Sequence, residues 1–195
     1  STDELLRVIN DEISGCKVTK ATEKGETIIT IIDKNKQKKE LARVKDGQIT
    51  SLHLYKTTEL GKGFLSRNKS LKELYAPKLE IMVGNCFHDN AILETLNIPE
   101  LKEIGYSCFC YNKSLKELNA PKLEIMEDCC FHENEILETL NVPELKEMGY
   151  ECFHFNESLK KLNAPKLETM EEGCFRDNAI LETLNIPELK EMGNW

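Results

Sequence analysis

The sequence predicts an α/β solenoid of 22-residue repeats, each adding one short strand to a parallel sheet on the concave face, behind an α+β amino-terminal cap. Three observations predict it. Leucine recurs every 22 residues in three columns, beginning at Leu71, Leu74 and Leu79. All six prolines fall in one column, Pro77, Pro99, Pro121, Pro143, Pro165 and Pro187. Residues 1–48 follow none of these columns and so form a separate cap.

The cap opens on a helix, since Leu5, Val8, Ile9 and Ile13 share one face, Ser1 and Glu4 are spaced as a capping box, and Gly15 supplies the stop. Strand-like runs follow at Cys16–Ala21, Thr27–Ile32 and Leu41–Val44, separated by turn residues at Lys24-Gly25, Asn35 and Asp46-Gly47. Such a cap covers the exposed core and unpaired strand edge at a solenoid end, the alternative being an independent functional domain. Residues 49–70 read as a degenerate first repeat, with Ile49, Leu52, Leu65 and Asn68 in register.

Regular repeats start at Leu71. In Leu71-Lys72-Glu73-Leu74-Tyr75-Ala76 the alternation of a strand points Leu74 and Ala76 inward and Glu73 and Tyr75 outward. Proline then ends the ladder, having no N–H to donate. The pairs Cys86-Phe87, Cys108-Phe109, Cys130-Phe131, Cys152-Phe153 and Cys174-Phe175 come next, the phenylalanine filling the convex side. Asn90, Asn112, Asn134, Asn156 and Asn178 close the units and are expected to bond backbone groups left unpaired by the turn.

The unit Leu-x-x-Leu-x-Ala/Ile-Pro-x-Leu-x-x-Met/Ile-x-x-x-Cys-Phe-x-x-Asn resembles the BspA-like, or Treponema-type, bacterial leucine-rich repeat over about residues 49–195. Cysteine stands where that family carries alanine, and asparagine where it carries a later cysteine. The resemblance implies a leucine-rich-repeat solenoid that binds a protein on its concave face, in adhesion or host recognition, and a surface-exposed or secreted location.

Neighbouring copies alternate, so the full period is 44 residues. After the first leucine come Lys72, Glu94, Lys116, Glu138, Lys160 and Glu182; after the proline come Lys78, Glu100, Lys122, Glu144, Lys166 and Glu188. Two places later the order inverts, from Glu80 and Lys102 to Glu168 and Lys190. Equivalent residues of stacked copies lie about 4.8 Å apart at the backbone, so alternation should turn every such contact into an opposite-charge pair. Volume alternates too: Ala76, Ile98, Ala120, Val142, Ala164, Ile186.

Composition narrows the function. A net charge of -8 and pI near 5.2 speak against nucleic acid and anionic membrane surfaces. No stretch nears the roughly 18 apolar residues of a membrane span, and acidic, amphipathic Ser1–Leu6 does not read as a signal peptide. The eight cysteines read as small buried hydrophobes, and free thiols suit a reducing compartment, against the location the resemblance implies. The triplets Cys86-Phe87-His88, Cys130-Phe131-His132 and Cys152-Phe153-His154 suggest metal ligands. With cysteine inward and the histidine column outward two places later, one ion could not be shared, and Arg176 interrupts the column. No metal or other cofactor is therefore expected. No nucleophile–base set or phosphate-binding glycine loop occurs, so no enzyme is expected.

The exposed side of the strands remains as the binding surface. Its columns are Glu73, Thr95, Glu117, Thr139, Lys161, Thr183 and Tyr75, Asn97, Asn119, Asn141, Asn163, Asn185. Tyr75 is its one aromatic anchor, which makes that end the preferred contact with a protein partner. Tyr106, Tyr111, Tyr150 and Phe155 form a second aromatic group on the convex side, for packing or contact. The chain stops mid-unit at Gly193-Asn194-Trp195: either the sequence is truncated there, or Trp195 covers the exposed core, or another chain does, and self-association through that end is the alternative to a specific ligand.

Overall fold

The computed structural model describes residues 2–194. Helix α1 spans Thr2–Ile13. It buries Val8, with Leu5 and Ile9 half-buried against the same core. Ser1 of the expected capping box lies outside the described residues. The Glu4 carboxylate accepts from Nε and Nη2 along one edge of the Arg7 guanidinium and from the Gly61 N–H at 2.7 Å, ties that hold its pKa below the ordinary carboxylate range.

Strands β1 (Lys17–Glu23), β2 (Glu26–Ile32), β3 (Lys38–Lys45) and β4 (Gln48–His53) form an antiparallel meander. Two of its hairpins turn on two residues, Lys24-Gly25 and Asp46-Gly47, all four at positive φ as a type I′ turn requires. The strands run past the expected apolar stretches into Thr22-Glu23 and Lys38–Glu40, because ladder bonds are made by backbone whatever the side chain.

β4 then does two things. It pairs antiparallel with β3 and parallel with the strand Glu73–Tyr75, Leu52 opposite Leu74 and His53 opposite Tyr75. The cap and the solenoid thus share one sheet. The following strands are Thr95–Asn97, Glu117–Asn119, Thr139–Asn141, Lys161–Asn163 and Thr183–Asn185, parallel and in register at 22 residues. The hydrogen-bonded ladder falls into two runs, broken between Thr95–Asn97 and Glu117–Asn119.

A second parallel sheet, not expected from the sequence, forms another wall. Its seven strands have two residues each, from Glu59–Leu60 and Ile81–Met82 to Glu191–Met192. Two residues are too few to show an alternation, although the Met/Ile column that buries Met82, Ile104, Met126 and Met148 is plain.

Between the walls runs one continuous core from Val8 to Phe175. Its spine is a file of rings: Phe87, Phe109, Phe131, Phe153 and Phe175 stack at 5.1–5.8 Å between centroids, nearly parallel. The asparagines do what the turn demands. Asn112, Asn134 and Asn156 are fully buried and donate to Phe87 O, Phe109 O and Phe131 O of the preceding copy at 2.7–2.9 Å. In the last copy Leu181, Leu184, Ile186 and Leu189 are only half-buried, and Ile180 and Met192 are exposed. Any cover by Trp195 lies outside the described residues.

The charge columns correct one expectation. Pairs do not close at every contact: in two of the three columns they close at alternate contacts, each paired lysine leaning to the copy before it, while in the column after the first leucine the one pair among the described residues is Glu138–Lys160, at 3.3 Å. Glu80–Lys102, Glu124–Lys146 and Glu168–Lys190 close in one column, Glu100–Lys122 and Glu144–Lys166 in the other, all at 2.5–2.8 Å. The two columns are out of phase, so together they place one such bridge at each successive junction from Leu71 onward. These pairs are exposed, which makes them a device for register more than for stability.

Candidate functional site

The twelve expected surface residues lie together on the outward side of the main sheet. Tyr75 is half-buried and the other eleven are exposed, while the leucine between each pair points into the core. Much of the asparagine column is occupied with itself. Asn141 donates to the Asn119 side-chain oxygen at 2.9 Å, Asn163 to Asn141 at 3.4 Å and Asn185 to Asn163 at 2.8 Å. An amide ladder of this kind fixes register and leaves a flat, repetitive polar surface.

The Tyr75 end is different, and richer than the sequence reading allowed. Because β4 pairs in register, His53 sits beside Tyr75 with ring centroids 5.5 Å apart. Tyr55 closes the group, 5.7 Å from Tyr75 and 6.2 Å from His53. The Ser51 hydroxyl lies 3.0 Å from His53 Nε2, and the Tyr55 hydroxyl donates to Glu40 O at 2.9 Å. Lys39 Nζ stands over the Tyr55 ring at 5.3 Å, within cation–π range. Charges frame the cluster: Arg43 binds Glu40 through two nitrogens at 2.7 and 3.0 Å. That pairing holds the Glu40 carboxyl below its ordinary range, and burial first of all pushes the Tyr55 phenol up. His53 was open to discovery, standing one 22-residue step before Tyr75. Tyr55 had no such signal, for it belongs to no column of the exposed face.

On the opposite side, the four aromatics expected as one group are two. Tyr106 and Tyr150 stand in one row, partly exposed, with Tyr106 lying flat over Gly84, where an added Cβ would meet its ring at 2.3 Å. Tyr111 and Phe155 belong to another row and pack on the histidines: Tyr111 edge-on to His88 and His132, Phe155 stacked on His154 at 4.1 Å.

The histidine column also corrects the sequence reading, which placed it outward. His154 and Cys110 are buried, and His88 and His132 are half-buried. The alternation rule fails here because this segment is not extended. Asn85, Asp89, Tyr111, Cys129, Glu133, Glu151 and Phe155 all take positive φ, which curls the chain so that side-chain direction no longer alternates.

The column cysteines are inward, as expected. Cys86, Cys108, Cys130 and Cys152 have no exposed surface, and all eight cysteines are free thiols. The Cys130 thiol donates to Glu127 O at 2.8 Å, and burial pushes its pKa up to about 11. A buried thiol that resists ionisation is a poor nucleophile. In the native chain, a thiol reagent is expected to label Cys16 and Cys129, the two partly exposed cysteines, and to reach the others only with denaturant. Rapid labelling of six or more thiols, counted by mass spectrometry, would contradict the buried column.

The chain matches the BspA type leucine-rich-repeat region in six copies, over residues 41–114 and 80–195. Among solved structures it is similar to a leucine-rich-repeat protein from Bacteroides ovatus, at 20% identity and a TM-score of 0.50, over 92% of this chain. The chain spans 54% of that protein's length, and at this identity the likeness bears on the fold alone. No curated protein matches. With repeats of the matched type over more than half of its length, the chain belongs to the BspA-type leucine-rich-repeat family.

Proposed function

We propose that the chain is a non-catalytic protein-binding module whose contact surface is the outward side of the main sheet, anchored at its aromatic end. The family and fold support an interaction or structural module of a typically non-catalytic kind. One observation carries the finer reading: His53, Tyr55 and Tyr75 cluster where an otherwise flat polar ladder meets the cap. Aromatic side chains backed by a rigid scaffold are the commonest binding hot spots, and here the solvated ladder supplies the polar surround. The adhesion or host-recognition role that the resemblance implies is a particular form of this reading.

The test starts from a partner isolated by affinity capture. Tyr75→Ala is expected to weaken its binding by about 30-fold or more, the loss that corresponds to a hot spot of 2 kcal/mol. Asn141→Ala, within the self-bonded ladder, should stay within about threefold. Unchanged binding in both Tyr75→Ala and Glu117→Ala would remove the face from consideration. Light scattering that shows mass rising with concentration would instead favour a self-stacking array.

A further inference from the structure

We propose that His132, His154 and Glu151 form a site for one divalent transition-metal ion of the zinc class, clipping two adjacent repeats together. The three residues offer donor atoms that all lie within 4.8 Å of one another. Donors on one tetrahedral zinc at 2.0–2.1 Å stand about 3.4 Å apart, so closing the site needs movements of about 1–1.5 Å by side chains. Two imidazoles and a carboxylate are borderline donors of the kind zinc takes, leaving a fourth position for water.

A second observation points to the ligand. The His154 side chain is 9% exposed, and its Nδ1 is buried with no hydrogen-bond partner. The Glu151 carboxylate oxygen Oε2 faces that nitrogen at 3.6 Å, beyond hydrogen-bond reach. The Nδ1 of His132 is likewise buried and unpartnered. A buried polar atom left unpaired is costly, and an ion between the two rings would satisfy both.

The outer shell suits the same purpose. Asp177 lies 3.0 Å from His154 Nε2 and Glu133 3.4 Å from His132 Nε2. Carboxylates on the far nitrogens set the tautomer that leaves both Nδ1 atoms free to ligate. The Tyr150 hydroxyl donates to Glu151 Oε1 at 2.9 Å and steadies the carboxylate. Phe155 stacks on His154 and shields one side.

Among the described residues the arrangement occurs once. One junction earlier the column pairs Cys110 with His132, and one later it pairs His154 with Arg176. His88 also has an unpartnered Nδ1, but beside it stand Cys110 and, at the position equivalent to Glu151, Ser107. This differs from a site built on the Cys-x-His triplets, because Cys130 and Cys152 point their sulfurs at backbone carbonyls on the inner side.

The experiment titrates the full chain, freed of metal by chelator, with zinc by calorimetry and with cobalt by absorption. One ion per chain is expected, with a rise in Tm on adding zinc and no near-ultraviolet thiolate-to-cobalt band. His154→Ala and the near-isosteric Glu151→Gln should each weaken binding at least tenfold and abolish the rise in Tm, while His88→Ala leaves both unchanged. Retained binding in Glu151→Gln and His154→Ala, a thiolate band, or no saturable binding by the unaltered chain would each overturn the assignment. Melting the metal-free variants separates loss of the site from loss of the fold.

Discussion

Replacing Glu12 by alanine is expected to destabilise the chain by about 3 kcal/mol or more, the cost of stripping a buried charge from its partners. Glu12 is completely buried, near the end of α1. Its carboxylate accepts from the backbone N–H groups of Tyr55, Lys56 and Thr57 at 2.8–2.9 Å and from the Thr57 hydroxyl at 2.7 Å. The Lys56 ammonium returns the contact by donating to Glu12 O and Ser14 O, both at 2.9 Å. Alanine would leave three N–H groups without their acceptor and detach the helix from the first turn of the solenoid. Glu12→Gln keeps one acceptor oxygen but aims an amide donor at the others, so an intermediate loss is expected. For a chain of this length, 3 kcal/mol corresponds to a fall in Tm of about 6–12 °C. Hydrogen exchange adds a local readout, since the Tyr55–Thr57 amides should lose protection first. An unfolding free energy in urea that falls by less than about 1 kcal/mol would show that water replaces the carboxylate at little cost. Because Glu12 holds the backbone of Tyr55, the same variant should also loosen the aromatic cluster and weaken partner binding.

The role of Glu12 shows where the sequence stops being legible. Its partners lie 43 to 45 residues away, in the degenerate first repeat while Glu12 stands in the cap, and no spacing rule connects them. Whatever recurs at 22 residues could be read, because stacking forces equivalent residues into contact: the strand face, the leucine core, the phenylalanine file and the asparagine turns. His53 obeys the same rule and became visible only once its column was carried back into the degenerate repeat. Errors arose where the rule of alternation was carried into backbone that is not extended. The segment holding His132, Glu151 and His154 has left-handed residues, Glu151 among them at a φ of 47°, where the next copy places Gly173. Side-chain direction there is set by those dihedrals, which a period of two does not describe. The charge columns were legible as alternation but not as phase. Which neighbour a lysine reaches depends on the lean of its stem, and that is a property of the stacked structure.

Phe131→Ala is expected to be the most damaging single substitution in the repeats, at about 3–5 kcal/mol. The ring is fully buried in the middle of the file, stacked on Phe109 at 5.1 Å and Phe153 at 5.4 Å. Removing it takes away both stacking partners and opens a void against Cys130 and its neighbours. The walls resist collapse into that void: Ile125–Met126 is paired on both sides and Glu117–Asn119 with the strand after it, and Phe131 N itself donates to Cys152 O at 2.8 Å. Phe175→Ala should cost less. Among the described residues that ring stacks on Phe153 only, and it is already 5% exposed beside a copy whose leucines are half-buried. The contrast is the informative part. In a solenoid each copy is stabilised by its neighbours, so a central lesion removes two interfaces while a terminal one removes a single, weaker one. Urea unfolding should therefore show Phe131→Ala with a lowered midpoint or a transition split at that copy, and Phe175→Ala with early fraying confined to the last copies. Equal losses at the two positions would mean that the chain unfolds as one indivisible unit, with the cap's sheet, and not the phenylalanine file, carrying its cooperativity.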